Sequence, residues 1–159
     1  YPDDTIQHAG VVVGLGGVAA HVLCKLPRDA EGYMGRLRCV QEISAVTAAC
    51  MMVKTSVFKA VGGFDEELKV AFNDIDLCMK VRKYGVKIVF TPYAELYHYE
   101  SKSRGMEDTP EKQLRFSREV NCFRRKWERE LLKGDPYYNP NLTLNNTDCS
   151  LRKQEKNGD

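Results

Sequence analysis

The run Phe72-Asn73-Asp74-Ile75-Asp76-Leu77-Cys78-Met79-Lys80-Val81-Arg82-Lys83-Tyr84-Gly85 decides the fold class. Asn73 or Asp74 can cap a helix here. Ile75, Leu77, Cys78, Val81 and Tyr84 then keep a helical spacing until Gly85 stops it. Val86 to Phe90 follows at once, alternates toward Pro92 and reads as a strand. A helix running straight into a strand predicts an α/β domain. The same run carries chemistry. Carboxylates two positions apart at a helix start cannot share a face. One can open into a cleft while the other caps or pairs with a neighbour. A carboxylate at a helix N-terminus is held ionised by the dipole, and a partly dry pocket that lifts its pKa makes it a base. Simple N-capping is the competing reading.

Upstream, Ile6 to Val13 is β-rich and bounded by glycines, a strand. Gly14-Leu15-Gly16-Gly17-Val18-Ala19 fits the loose dinucleotide fingerprint, in which a backbone approaches a pyrophosphate at a helix N-terminus. Pro27 leaves fewer than ten residues for the required helix and no βαβ unit follows, so a Gly-rich turn or substrate-lining loop is favoured. Residues 28–38 are polar and loop-like. Ser44 to Val53 reads as a buried strand of small apolar residues. Ser56 is an N-cap or first-turn residue of a short helix ending at Gly62-Gly63, and Phe64 to Ala71 is an acidic loop.

Downstream, Ala94 to Tyr99 reads as another short strand. It opens into Tyr97-His98-Tyr99-Glu100-Ser101-Lys102-Ser103-Arg104-Gly105. A His followed by hydroxyls and cations suits a diphosphate with its metal; a solvated basic loop with a surface His is the plain alternative. Phe116, Val120, Phe123, Trp127 and Leu131 then mark one face of a long amphipathic helix, with Gly134 as its stop. Residues 111–133 hold eight Lys/Arg and four Glu, net +4. No large aromatic face is left over for lipid, so a solvated outer face is favoured over peripheral contact with an anionic membrane surface. The expected division is one domain over residues 1–134 and an irregular tail over 135–159.

Composition bounds the function classes. At 159 residues the chain is one domain, able to bury roughly 70% of its unfolded surface. Lys+Arg total 24 against 22 Asp+Glu, and +2 is too balanced for a dedicated nucleic-acid binder. The longest apolar stretch, Ala45 to Val53, is too short to span a bilayer. No signal-peptide pattern opens the chain, which starts at Tyr1 without Met, as a processed product or a piece cut from a longer chain does. The six cysteines form no CxxC pair or zinc template. Cys24, Cys50, Cys78 and Cys122 sit among apolar residues, which reads as buried free thiols of a reducing compartment. The sequons at Asn141 and Asn145 then read as chance matches.

Gly62-Gly63-Phe64-Asp65-Glu66, Phe72 to Cys78, Lys83-Tyr84-Gly85, Pro92 and His98 together resemble the second half of bacterial family 2 glycosyltransferases. These are inverting enzymes of the GT-A fold, related to rhamnosyl and O-antigen transferases. The runs Ile6 to Val11 and Ser44 to Cys50, and the tail Asp135 to Asn141, are similar to the same group. The resemblance implies a partial GT-A mixed sheet with flanking helices. It implies transfer of a sugar from a nucleotide diphosphate sugar to a glycan or lipid-linked acceptor, with a divalent cation, Mn²⁺ or Mg²⁺. Asp74 matches the family's base; Asn73 stands where the family usually has Glu. Asn73, Asp76, Thr47 and Ala48 match acceptor-side positions, and Ala49 belongs to the same lining segment. His98 matches a metal or diphosphate ligand, and Ser101, Lys102, Ser103 and Arg104 a loop over the donor diphosphate. The family's nucleotide-binding half and its Asp-x-Asp metal motif have no counterpart here. The expectation is the acceptor-side part of a larger enzyme, cytoplasmic or peripheral at the inner membrane face, inactive by itself and open to dimerisation through an uncovered sheet edge. A non-catalytic acceptor-binding or assembly module is the alternative.

Overall fold

The computed structural model describes residues 1–99 and 108–153. They form a mixed α/β domain of two small antiparallel sheets and four α-helices. The first sheet pairs β1 (Val11–Val13) with β2 (Ala19–His21), in the register Val11 to His21 and Val13 to Ala19. The second pairs β3 (Gln41–Glu42) with β4 (Val89–Phe90). The helices are α1 (Thr55–Ala60), α2 (Asn73–Lys83), α3 (Pro110–Lys126) and α4 (Glu128–Lys133).

β1 is buried on both faces. Side chains alternate along a strand, so its valines divide. Val11 and Val13 pack with Ala45, Leu68, Ile75, Cys78, Phe123 and Trp127. Val12 points the other way, to a second cluster with Leu15, Val22, Leu23, Leu37, Tyr138 and Leu142. Each buried valine contributes about 1.5–3 kcal/mol. β1 thus lies between two cores, which is why its sequence is an unbroken apolar run.

The glycine run closes the β1–β2 hairpin. The Gly14 amide donates to the Val18 carbonyl at 2.8 Å, and Gly14, Gly16 and Gly17 all have positive φ. The chain returns as a strand, not a helix, so no dinucleotide-type βα turn exists.

Several expected elements are shorter or absent. The strand over Ile6 to Val13 begins only at Val11, because Gly10 adopts φ +105° and Ile6 bonds instead to Leu26. Of Ser44 to Val53, only Ala45 bridges to a strand residue, Val11. Beyond it the Thr47 hydroxyl accepts the Ala49 N–H and turns the chain into a 3₁₀ turn over Ala48–Cys50. That turn is exposed, so Cys50 is exposed as well, contrary to the reading of a buried thiol. All six cysteines are free, with Cys78 and Cys149 buried. Residues 94–99 form no strand and lie at the surface, apart from half-buried His98. The described strands pair only antiparallel, so the expected mixed sheet is not formed among them.

The long helix is present but breaks at Trp127, whose φ of −114° and ψ of 22° separate α3 from α4. Phe123 and Trp127 are buried and Phe116 is 41% exposed. Residues 135–153 of the tail are irregular yet integral. Tyr138, Leu142 and Cys149 are buried in the second core, and the Leu23 amide donates to the Thr147 carbonyl at 2.7 Å. Among the described residues, no helix is long and apolar enough to cross a membrane.

Candidate functional site

α2 starts from an unusual residue. Phe72, its N-cap, sits at φ 63° and ψ 3°, left-handed geometry that non-glycine residues rarely adopt. Its side chain cannot cap, and neither Asn73 nor Asp74 occupies the cap position. Asp74 lies in the first turn instead. Its Oδ1 accepts the Ile75 N–H at 2.9 Å, and its Oδ2 accepts the Ala48 N–H at 3.0 Å. The carboxylate therefore joins the helix start to the exposed Ala48–Cys50 turn, beside Thr47. Asp74 and Ala48 thus meet from two distant stretches, with Asn73 and Thr47 as their chain neighbours. Two N–H donors leave about half of the carboxylate's lone-pair sites open for a further donor.

Asp76 lies on the opposite face, as the two-residue spacing requires, and is fully buried. Its Oδ1 accepts the Trp127 Nε1–H at 2.8 Å and lies 2.8 Å from the Lys126 ammonium; its Oδ2 lies 3.3 Å from Lys80. Lys126 also pairs with Asp65, and Lys80 donates to the Gly63 carbonyl. The Lys126 hydrogen bond and the Glu67 N–H hold the Asp65 carboxyl below the usual carboxylate range. Burial opposes the Lys126 charge, but its bonds to Asp65 and Asp76 outweigh this and raise it above the usual lysine range. Asp76 thus anchors a buried charge network and has no exposed surface in this conformation with which to meet an acceptor.

Glu119 is a second buried acid, 3% exposed on α3. Its two oxygens accept the Val70 N–H at 3.1 Å and the Ala71 N–H at 2.9 Å. The sequence carries a signal for it, since position 119 falls between Phe116 and Phe123 on the apolar helix face, where a solvated Glu would not stand.

His98 is half-buried, and its Nδ1 is buried without a hydrogen-bond partner. Among the described residues, no three His, Cys, Asp or Glu side chains cluster to hold a metal ion. A single imidazole does not make a site for a hard divalent cation, which takes several oxygens. Ser101, Lys102, Ser103 and Arg104 lie outside the described residues.

Two further features escape sequence reading. His8 Nδ1 lies 3.0 Å from His21 Nδ1, the rings edge-to-face. Burial, then the charge of His21, pushes His8 down to about 3. A cleft of about 510 Å³ lies at the far end of α2, between Arg82, Lys83, Trp127, Lys133 and Tyr137. Eight residues of helix place it roughly 12 Å from Asp74, so it is separate from the Asp74 site.

Comparison with known proteins gives a consistent set. The chain is 58% identical over 152 residues to the uncharacterized protein y4gI of Sinorhizobium fredii (strain NBRC 101917 / NGR234), covering 95% of this chain and 17% of that protein. It is 38% identical over 160 residues to the O-antigen biosynthesis protein RfbC of Myxococcus xanthus, covering 100% of this chain and 12% of that protein. It is 36% identical over 62 residues to an N-acetylglucosaminyl-diphospho-decaprenol L-rhamnosyltransferase of Mycobacterium tuberculosis (strain CDC 1551 / Oshkosh), covering 39% of this chain and 20% of that enzyme. The chain thus spans a fifth or less of the length of each of these relatives. No protein-family model and no solved structure matches it.

Proposed function

We propose that this chain is the acceptor-side part of an inverting glycosyltransferase of the family 2, GT-A type, acting in cell-surface polysaccharide synthesis. The observation that carries the proposal is Asp74: a carboxylate in the first turn of α2, fixed by two backbone amides beside an exposed turn of small residues. The likeness to a rhamnosyltransferase supports the reaction class, and the likeness to the O-antigen biosynthesis protein RfbC supports the setting. Asp74 takes the proton of an acceptor hydroxyl. The oxygen attacks the anomeric carbon from the side opposite the leaving group, a new C–O bond forms, and the nucleoside diphosphate departs with the electrons of the broken bond. The configuration inverts. Thr47 and Ala48 form the edge over which the acceptor approaches, and Asn73 stands next to the base.

The donor diphosphate is assigned to Ser101, Lys102, Ser103 and Arg104. A Mn²⁺ or Mg²⁺ ion with His98 as one ligand belongs to the same assignment. Its remaining ligands would come from beyond the described residues, and the step above is not routed through it. The assigned site of action is the cytoplasm or the inner face of the membrane.

The test is Asp74→Asn in the natural protein that carries this sequence. Turnover should fall by about 10²–10⁴-fold with nucleotide-sugar binding retained. Near-wild-type turnover would remove Asp74 from the mechanism. It would favour a non-catalytic acceptor-binding or assembly module, a reading to which Asn73, in place of the Glu usual in the resembling enzymes, lends weight.

A further inference from the structure

We propose that Glu119 is the positioning residue for Asp74. Three links join them. Glu119 is a buried acid whose two oxygens are both taken by successive backbone amides, Val70 and Ala71. The next residue, Phe72, is the left-handed N-cap from which α2 departs, and its carbonyl accepts the Asp76 N–H at 2.8 Å. Its ring is held against α3 on both sides of Glu119, 5.8 Å from Phe116 and 5.4 Å from Phe123. Asp74 lies two residues further on and reaches the Ala48 amide.

The strain of a left-handed Phe persists only where its surroundings over-determine it. Here the surroundings are one face of α3, since positions 116, 119 and 123 step by helical spacing. Among the described residues the nearest cation, Arg115, stands with its Nε 3.9 Å from Glu119 Oε2, farther than the paired amides at 3.1 and 2.9 Å. An acid buried to bind two loop amides fixes the direction in which the loop hands the chain to α2. That direction sets where the first helical turn, and with it Asp74, meets the Ala48 turn. Lys126 and Trp127 secure the same helix through Asp76, on its other face. Together they make α3 a backing plate for the base.

Glu119→Gln tests this, because it keeps volume while turning one acceptor into a donor that opposes an amide N–H. Amide hydrogen exchange is followed by NMR on the 159-residue chain. The Ala48 amide should exchange about tenfold faster or more, together with Val70 and Ala71, while Val81 deeper in α2 keeps its rate. Faster exchange confined to Val70 and Ala71, with Ala48 unchanged, would overturn the proposal and leave Glu119 a local pin. If Glu119→Gln does not fold, Glu119→Asp is measured instead, with the same two outcomes. The catalytic consequence rests on Asp74 being the base, but the exchange result does not. Intact turnover in Asp74→Asn with a responsive Ala48 amide would sink the base assignment and leave the positioning contact standing.

Discussion

His8 is neutral in the folded protein because it is buried and its Nδ1 is spent on His21. Its folded value of about 3 lies below the ordinary value of 6.5. The unfolded chain therefore binds a proton at His8 between these values and the native chain does not. Stability from this residue is complete above pH 6.5 and is lost as pH falls toward 3, by up to about 1.4 kcal/mol per pH unit. Urea unfolding at pH 7.5 and pH 5.5 should show His8→Gln losing less stability on acidification than the wild type; equal losses would contradict the burial argument. Gly32 is constrained differently. At φ +68° a Cβ would stand 2.7 Å from Leu37 Cγ and 3.0 Å from Leu23 Cδ1. Both leucines are buried in the second core. Gly32→Ala should cost about 1–3 kcal/mol, read as a lower urea midpoint; an unchanged midpoint would mean the loop relaxes freely.

The element with the most consequences is α3, capped by Thr109, whose hydroxyl accepts the Lys112 N–H, with Pro110 at its start. One face packs Phe123 into the first core, binds the 70–71 amides through Glu119 and meets Asp76 through Lys126 and Trp127. The opposite face is solvated, which accounts for most of its excess charge. Phe123 is 0% exposed, so Phe123→Ala should cost about 3–5 kcal/mol. Leu132 on α4 is 82% exposed, and Leu132→Ala should stay within about 0.5 kcal/mol. Trp127→Phe keeps an aromatic side chain but removes part of a buried ring and, with it, the Nε1–H bound to a fully buried carboxylate. A loss of about 1–3 kcal/mol is expected in chemical denaturation; no loss would show that Lys126 and Lys80 satisfy Asp76 without it.

At the scale of the molecule, two cores share β1, and the irregular tail closes one of them through Tyr138, Leu142 and Cys149. Deleting residues 138–151 should therefore unfold the second core rather than trim an appendage. The loss would appear as collapse of near-ultraviolet circular dichroism. Residues 91–99 behave oppositely. They form no regular structure and expose Tyr93, Leu96, Tyr97 and Tyr99. Limited chymotrypsin digestion should cut here first and leave α2 intact, as mass spectrometry of the fragments would show. First cleavage within the tail would reverse this order of local stability.

The sequence by itself determined what depends on neighbours along the chain: the helices α2 and α3, the stop at Gly85, the glycine turn after β1, and the opposed faces of Asp74 and Asp76. Spacing and backbone preference act over a few residues, so these are legible without a fold. It also marked Asp74 as the residue to watch. Tertiary structure decided what depends on distant partners. Asp76 became a buried anchor because Trp127 and Lys126 arrive from fifty residues away. Ser44 to Val53 gave up its strand after Ala45, because a turn there finds Asp74 as an acceptor for the Ala48 amide. Residues 94–99 have strand-like composition, but a strand exists only where another strand satisfies its amides, and no described strand lies beside them. His8 and His21, thirteen residues apart, meet only because the β1–β2 hairpin folds one back on the other.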